Sequence, residues 1–267
     1  MSIVLIKTII NNRGNGEMQM KDERYEQILQ ILDDEKYVSA TALAKRLYVS
    51  LPTVRRDLAE LQKRNLILRS HGGAKRVGDG VYQIPLDFRR ATKQSEKKQL
   101  CRAAAKLIKD NDTVFIDAST TLLPLAEEIS HIKNVTVVTN GINLAVLLNK
   151  YNVSTYCTGG EVMDNSIAFA GGYAEEFVAN FNFDIMFYSS YGVSTQGYAV
   201  DPFLPENHLR RAVMKHSKKT VLVCDGDKFN LSAPHNIMKI SDLDYLVTNT
   251  ELPSGLDIDR SKLIIVK

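Results

Sequence analysis

Tryptophan is absent from this 267-residue chain, cysteine occurs only three times, and no apolar run approaches the ~20 residues that a membrane helix needs. Cys101, Cys157 and Cys224 are odd in number and far apart, with no CxxC spacing and no histidine at ligand distance. Neither a disulfide framework nor a zinc site is suggested, and a reducing cytoplasm fits. The opening MSIVLIKTII is broken at Lys7, too early for the apolar core of a secretory signal. A soluble cytoplasmic protein without membrane contact is expected. Net charge is small as well, at +3, yet unevenly spread. Residues 50–76 carry seven Lys or Arg against Asp57 and Glu60, a local +5, whereas the chain from Val77 onward is net −2. The basic excess therefore points to a local polyanion contact, with nucleic acid the obvious candidate.

Length and a hydrophobic content of 44% allow a small and a medium domain, each with its own core. Residues 1–20 stand apart, because organised sequence begins at Lys21 and the leader ends in NNRGNGEMQM. Gly16-Glu17 requires purine-rich codons a few bases ahead of Met20. The expectation is that the leader is a start-site artefact and that translation begins at Met20 or Met18; the alternative is a disordered arm that touches DNA.

From Arg24 to Leu32 the apolar residues Tyr25, Ile28, Leu29 and Leu32 recur at helical spacing. Ser39 is a good N-cap for a second, short helix carrying Leu43, Ala44 and Leu47. Ser50 caps a third, LPTVRRDLAELQKRNL, with Pro52 in the first turn, where its missing N–H costs nothing. Val54, Leu58 and Leu61 form its buried stripe, which leaves Thr53, Arg55 and Arg56 exposed near the helix start. This is the helix-turn-helix arrangement, whose second helix enters the major groove, where arginine bonds guanine O6 and N7. The run ILRSHGGAKRV then reads as two short strands around Gly72-Gly73, a wing offering Arg69, His71, Lys75 and Arg76 to phosphates or a minor groove. Residues 21–77 are read as a winged helix-turn-helix domain, and residues 78–87, with Gly78, Gly80 and Pro85, as a linker.

From 88 to 267 short apolar runs alternate with helical segments: RRATKQSEKKQLCRAAAKLI as a helix, TVFID, a helix at Leu122–Ile129, VTVVTN, a helix at Leu144–Leu148, VSTYCTGG, a helix from Ala174, FDIMFYSSYG, a helix from Glu206, TVLVCD, YLVTN and LIIV. Such alternation predicts an α/β domain with a mostly parallel sheet covered on both faces, with ligands bound outside the carboxyl ends of its strands. Polar residues gather at those ends: Asp117 with Ala118, Ser119, Thr120 and Thr121; Thr139 with Asn140 and Gly141; Thr158 with Gly159 and Gly160; Gly192 with Ser194; and Asp225 to Lys228. Small residues before a helix let backbone N–H groups approach an oxyanion, so ASTT is expected to be a phosphate cradle. Lys228 or Arg210 is expected to complete the charge balance.

SATALAKRLYVSLPTVRRDLAELQKRNLILRSHGGA resembles the N-terminal signature of DeoR-family bacterial repressors, with its Ser before the recognition helix, Thr-x-Arg-Arg-Asp-Leu core and His-Gly-Gly-Ala end. The resemblance implies principal DNA contacts from Ser50, Thr53, Arg55 and Arg56, support from the wing, and Ser39 and Thr41 near a phosphate. It continues through Glu96-Lys97, Asp117 to Thr121, Thr139-Asn140, Gly159-Gly160, Gly171 and Asp225 to Phe229, covering about residues 20–255. Two departures stand out: Arg210 replaces the family's common Lys after Glu206, and Asp227 adds a carboxylate that would repel an anion if it faced the pocket.

DeoR sensor domains resemble the ribose-5-phosphate isomerase fold, which raises an enzymatic alternative: a sugar-phosphate isomerase with an accessory DNA-binding domain. Isomerisation needs a positioned base and an acid or cation. The Asp-Gly-Ala-Asp-Glu cluster of such isomerases is replaced here by SSYGVS at 189–194, and their Lys-Gly-Gly-Gly loop is absent. Asp117, Glu206, Asp225 and Asp227 remain as possible acids or bases. The resemblance implies a regulator, a repressor of a carbohydrate-use operon whose grip on operator DNA is set by a phosphorylated sugar. A homo-oligomer, dimer or tetramer, is expected because paired units read two half-sites. No cofactor and no metal are expected. A further alternative uses this fold for protein contact alone.

Overall fold

The computed structural model describes residues 23–32, 34–35, 37–63, 67–70, 72–76, 86–91, 93–163 and 166–266. The proposed leader, His71, Val77 and residues 78–85 of the proposed linker lie outside this set. The chain divides into two compact units, residues 1–83 and residues 84–267.

In the first unit, helix α1 (residues 23–32), strand β1 (Val38–Ser39), helices α2 (Ala40–Arg46) and α3 (Leu51–Lys63), and strands β2 (Ile67–Ser70) and β3 (Gly73–Arg76) follow in order. Ile28, Leu32, Leu43, Val54, Leu58 and Leu61 meet in one buried cluster, as their spacing predicts. The wing is a three-stranded antiparallel sheet, β1-β3-β2, one strand more than the sequence predicts. Gly73 makes the extra pairing possible, since a Cβ there would stand 2.6 Å from Ser39 Cα and clash with the Val38 carbonyl. A bidentate ion pair ties α1 to α3: Arg24 Nε donates to Asp57 Oδ2 at 2.6 Å and Nη2 to Oδ1 at 3.1 Å.

The second unit begins with helices α4 (Leu86–Ala91) and α5 (Gln94–Ala105). The periodicity predicts continued helix here, but Lys93 takes a left-handed φ of 52° and breaks it. Then come β4 (Thr113–Ile116), α6 (Leu125–Ile129), β5 (Thr136–Thr139), α7 (Ile142–Lys150), β6 (Ser154–Cys157), β7 (Glu161–Met163), β8 (Ala168–Ala170), α8 (Gly172–Val178), β9 (Ile185–Tyr188), β10 (Gly192–Val193), β11 (Tyr198–Asp201), α9 (Leu204–Lys215), β12 (Thr220–Val223), β13 (His235–Lys239), β14 (Tyr245–Thr248) and β15 (Leu263–Ile265). Seven strands form one sheet in the order β15-β14-β12-β9-β4-β5-β6. Every pairing in it is parallel, while β10-β11-β13 and β7-β8 form small antiparallel sheets beside it.

The central strands are apolar on both faces because both are covered. Val114, Ile116 and Phe187 pack with Leu100 of α5, Leu125 of α6 and Leu144 of α7. Phe115, Met186 and Tyr188 pack on the other side with Ala174 of α8 and Leu209 of α9. The chain order reverses between β4 and β9, so the crevice beyond their carboxyl ends is the topological switch point.

Replacing Asp57 by Ala would leave Arg24 unpaired and loosen α1 from α3. The expected loss is ~1–3 kcal/mol, moderated by the partial exposure of Arg24. Chemical denaturation followed by circular dichroism would show it as an earlier transition of the first unit with that of the second unmoved.

Candidate functional site

The first unit presents one polar helix face. Arg55 and Arg56 are exposed on α3, opposite buried Val54, Leu58 and Leu61. Ser50 is exposed and caps the helix, accepting from Thr53 N–H at 3.3 Å, with its Oγ 2.8 Å from Thr53 Oγ1. Ser39 caps α2 by accepting from Ala42 N–H at 3.1 Å, and Thr41 beside it is exposed. Arg69 is exposed on β2. Lys75, expected on the wing surface, is instead buried and engaged, so it is not an exposed phosphate contact. The side chain of Arg76, like His71, lies outside the described residues.

In the second unit the loop after β4 is gripped from both faces of the sheet. From the α9 side, Arg210 Nε donates to Asp117 Oδ2 at 2.8 Å, and its other nitrogens lie 3.2 Å from Asp201 and 3.3 Å from Glu206. Asn207 Oδ1 accepts from Arg210 Nη1 at 2.8 Å. Arg210 and all three carboxylates are buried. Burial alone would lower the Arg210 pKa, but the three acids outweigh it and raise it. Burial pushes Glu206 up against the pull of Arg210. Arg210 is thus an internal counter-ion rather than a cation waiting for a ligand, and Asp117 and Glu206 are its anchors.

From the α5 side, buried Lys97 donates to the Arg89 carbonyl of α4 and to Thr120 Oγ1 at 3.3 Å. Burial first, then repulsion from Lys228, lowers its pKa from 10.5 to about 8, with Arg89 and Lys93 adding to the repulsion. Lys228 donates to Ser189 Oγ at 3.0 Å and to the Ser190 carbonyl at 2.8 Å. Among the described residues neither ammonium has a carboxylate at ion-pair distance. Lys93 is matched, 2.7 Å from Asp225 and 2.5 Å from Asp227. Asp227 is exposed there, which removes the concern that its charge faces the pocket. Burial opposes ionisation of Asp225, but Lys228 and Lys93 hold it below the usual carboxylate range.

The ASTT cradle differs from expectation. The helix starts at Leu125, not Leu122, after a non-helical turn. Of the N–H groups from Ala118 to Leu122, four bind internally, to Asn140 Oδ1, the Asp117 carbonyl, Ser119 Oγ and the Ser119 carbonyl. That of Thr120 alone has no partner among the described residues. Asn140 is committed as well, its Nδ2 donating to the Phe169 carbonyl at 3.0 Å. The glycines serve the backbone. Gly141 approaches Ala118, Gly160 passes Ala170, and Gly192 lies in β10, where a Cβ would stand 2.9 Å from the Lys228 carbonyl. Gly159 holds a φ of 66° in the turn after β6. A cleft remains beside the loop, lined by Leu86, Ser119, Thr120, Gly141 and Ser166 among others. Ser166 Oγ also donates to Glu206 Oε1 at 2.8 Å, linking the cleft to the acids.

Sequence reasoning missed Arg89, Lys93, Lys97 and Asp201 as site residues. The dense basic run RRATKQSEKK was a usable signal, but its helical periodicity claimed it. Among the described residues no cluster of His, Cys, Asp and Glu could hold a metal ion, and no helix is long and apolar enough to cross a membrane.

A winged helix-turn-helix joined to a parallel α/β domain with an internally charged rim defines the class: a helix-turn-helix regulator with a separate sensor domain. A family model described as the DeoR C terminal sensor domain matches residues 92–250, and one described as a DeoR-like helix-turn-helix domain matches residues 24–78. This chain belongs to the DeoR family. It is 32% identical over 232 residues to the glycerol-3-phosphate regulon repressor of Escherichia coli (strain K12), across 86% of this chain and 92% of that one. The lactose phosphotransferase system repressor of Staphylococcus epidermidis is 29% identical over 233 residues, with 86% and 92% covered. Relatives named as repressors make the chain a transcriptional regulator rather than an enzyme. Ribose 5-phosphate isomerase from Plasmodium falciparum aligns at 14% identity over 51% of this chain and 52% of its own, with a TM-score of 0.38.

Lys97 also dictates a pH response. With its folded pKa of about 8 below the ordinary 10.5, the unfolded chain binds more protons between those values, so stability rises with pH across that window. The penalty is full below about pH 8 and vanishes above 10.5. Lys97→Met is therefore expected to melt later than wild type at pH 7, with the gap closing toward pH 10.5; thermal melts across pH would show equal gaps throughout if Lys97 carries no penalty.

Proposed function

We propose that this protein represses a carbohydrate-use operon and that a phosphorylated sugar, bound in the second unit, sets its hold on operator DNA. The observation that carries the effector reading is the pair Lys97 and Lys228, two ammonium groups that, among the described residues, touch hydroxyls and carbonyls but no carboxylate. Lys97 is buried and Lys228 partly so, and Asp225, the acid whose charge both feel, is already paired with Lys93. A buried ammonium without a direct ion pair is costly, and a phosphate dianion would supply one. Thr120, through its Oγ1 and its free N–H, and Ser119 offer hydrogen bonds beside it. The named relatives fit: one is the repressor of a glycerol-3-phosphate regulon, the other of a lactose phosphotransferase system.

The proposed effector residues from the sequence then divide by role. Thr120, Ser119 and Lys228 contact the anion, joined by Lys97. Asp117, Asn140, Glu206, Arg210 and the glycines hold the rim in place. Coupling to DNA is proposed to run through α4, where Leu86 lines the cleft and the Arg89 carbonyl accepts from Lys97. An anion that draws Lys97 toward itself weakens that hold on the first helix of the unit. A ligand shifts a population only by its differential affinity, and this contact supplies a difference. On the DNA side, Ser50, Thr53, Arg55 and Arg56 read the groove, Arg69, Ser39 and Thr41 touch phosphates, and two copies of the chain bind two half-sites.

A thermal-shift screen of phosphorylated sugars tests the effector. One of them should stabilise the wild type, by ~2.7 kcal/mol at a hundredfold excess over Kd, and neither Lys97→Ala nor Lys228→Ala. Stabilisation by none, or equal stabilisation of the variants, removes the effector assignment.

For DNA, Arg55→Ala and Arg56→Ala should each reduce discrimination between upstream and random duplex by ~1–3 kcal/mol. Arg69→Ala should weaken both alike and lower the salt slope by about one. Equal affinity of the wild type for both duplexes at physiological salt would defeat specific repression.

A further inference from the structure

The turn joining α2 to α3 contains a side chain that neither the core nor the backbone accounts for. Tyr48 is 96% exposed and adopts a φ of 53°. That left-handed conformation costs a residue with a Cβ roughly 1 kcal/mol or more, a strain glycine would avoid. The reversal itself is set by the main chain, with Leu47 N–H donating to Leu43 O at 2.9 Å and Val49 N–H to Ala44 O at 3.1 Å. The ring contributes nothing to the buried cluster of the unit.

Its surroundings in the chain say what it meets. Exposed Lys45 and Arg46 precede it, exposed Ser50 follows two residues later, and exposed Arg55 and Arg56 come in the next turns. From Tyr37 to Arg56 the sequence has four cations and no acid. Arg46 is paired with Glu35 at 2.6 Å, which leaves Lys45, Arg55 and Arg56 as the charges complementary to a polyanion. A tyrosine on such a surface matches the sugar-phosphate backbone: its hydroxyl donates to a phosphate oxygen and its ring packs on deoxyribose. A tyrosine has only two side-chain torsions to fix, so it loses little freedom on binding.

We propose that Tyr48 is a DNA-contacting residue, placed by its left-handed backbone against the sugar-phosphate backbone beside the groove that α3 enters. The proposal rests on the reading of α3 as the DNA-reading helix.

The full-length wild type is first used to select a duplex from a random-sequence pool. Affinity for that duplex is then measured at several salt concentrations for wild type, Tyr48→Gly, Tyr48→Asn and Tyr48→Phe. Gly and Asn both accept a positive φ, so the turn is kept. Both should bind about tenfold more weakly or worse, with Phe between them and wild type. The slope of log affinity against log salt should not change, because the lost contact carries no charge. Both variants should melt no earlier than wild type. Wild-type affinity in Gly and Asn overturns the proposal. So does a loss confined to Gly, which would mark a slackened turn rather than a missing ring. A wild type that selects no sequence overturns the DNA-reading assignment itself, and Tyr48 with it, and is distinguishable because it fails before any variant is compared.

Discussion

One guanidinium organises the rim of the second unit. Arg210 reaches Asp117 at the end of β4, Asp201 at the end of β11 and Glu206 one turn earlier on its own helix. These belong to the main sheet, a satellite sheet and α9, so a single side chain registers three elements against one another. Its planar fork allows this, whereas a lysine would offer one point charge to three acids. Losing it would leave three buried carboxylates with only the more distant charge of Arg89, close to the situation in which broken buried pairs cost ~3–5 kcal/mol. Because Asp117 is fixed, the loop leaves β4 on a set course, and Thr120 arrives where Lys97 meets it from the opposite face. The proposed anion site therefore depends on a salt bridge that is not part of it.

Charge is sorted across this rim. The α9 side gathers three acids around Arg210, with Arg89 also within their field; on the α5 side Lys97 and Lys228 feel Asp225 but have no carboxylate at ion-pair distance among the described residues. The carboxylates that remained as possible acids or bases are each matched: Asp117 and Glu206 by Arg210, Asp225 and Asp227 by Lys93. What is left over is positive charge and hydroxyls, a chemistry suited to holding an anion. Names of relatives and local electrostatics, independent of each other, lead to the same regulator.

How much of this the sequence reveals depends on range. The helix-turn-helix was legible because caps, Pro52 and the stripe Val54, Leu58, Leu61 are all local signals. The parallel sheet was legible because strands covered on both faces leave unmistakable apolar runs. The site was only half legible. Asp117 and Thr120 announce themselves as polar residues at a strand end, but whether an asparagine such as Asn140 faces a ligand or ties two loops together depends on Phe169, 29 residues away. Lys93 finds Asp225 across 132 positions, and no periodicity encodes that. Lys75 shows the converse error: a lysine in a basic hairpin looks exposed, yet it is buried and engaged.

Under the proposed effector reading, the cost of Lys97 is a requirement of sensing rather than a flaw. A rim with every charge matched would be more stable, but an anion would gain nothing by entering it, and a ligand without differential affinity shifts no equilibrium. Leaving one buried ammonium to lean on a carbonyl and a hydroxyl keeps the empty state higher in free energy than the filled one. Because that carbonyl belongs to Arg89 on α4, the first helix of the second unit, the proposed binding event acts on the element through which coupling is proposed to run. On that proposal the instability, the binding energy and the signal are the same interaction in different states of occupancy.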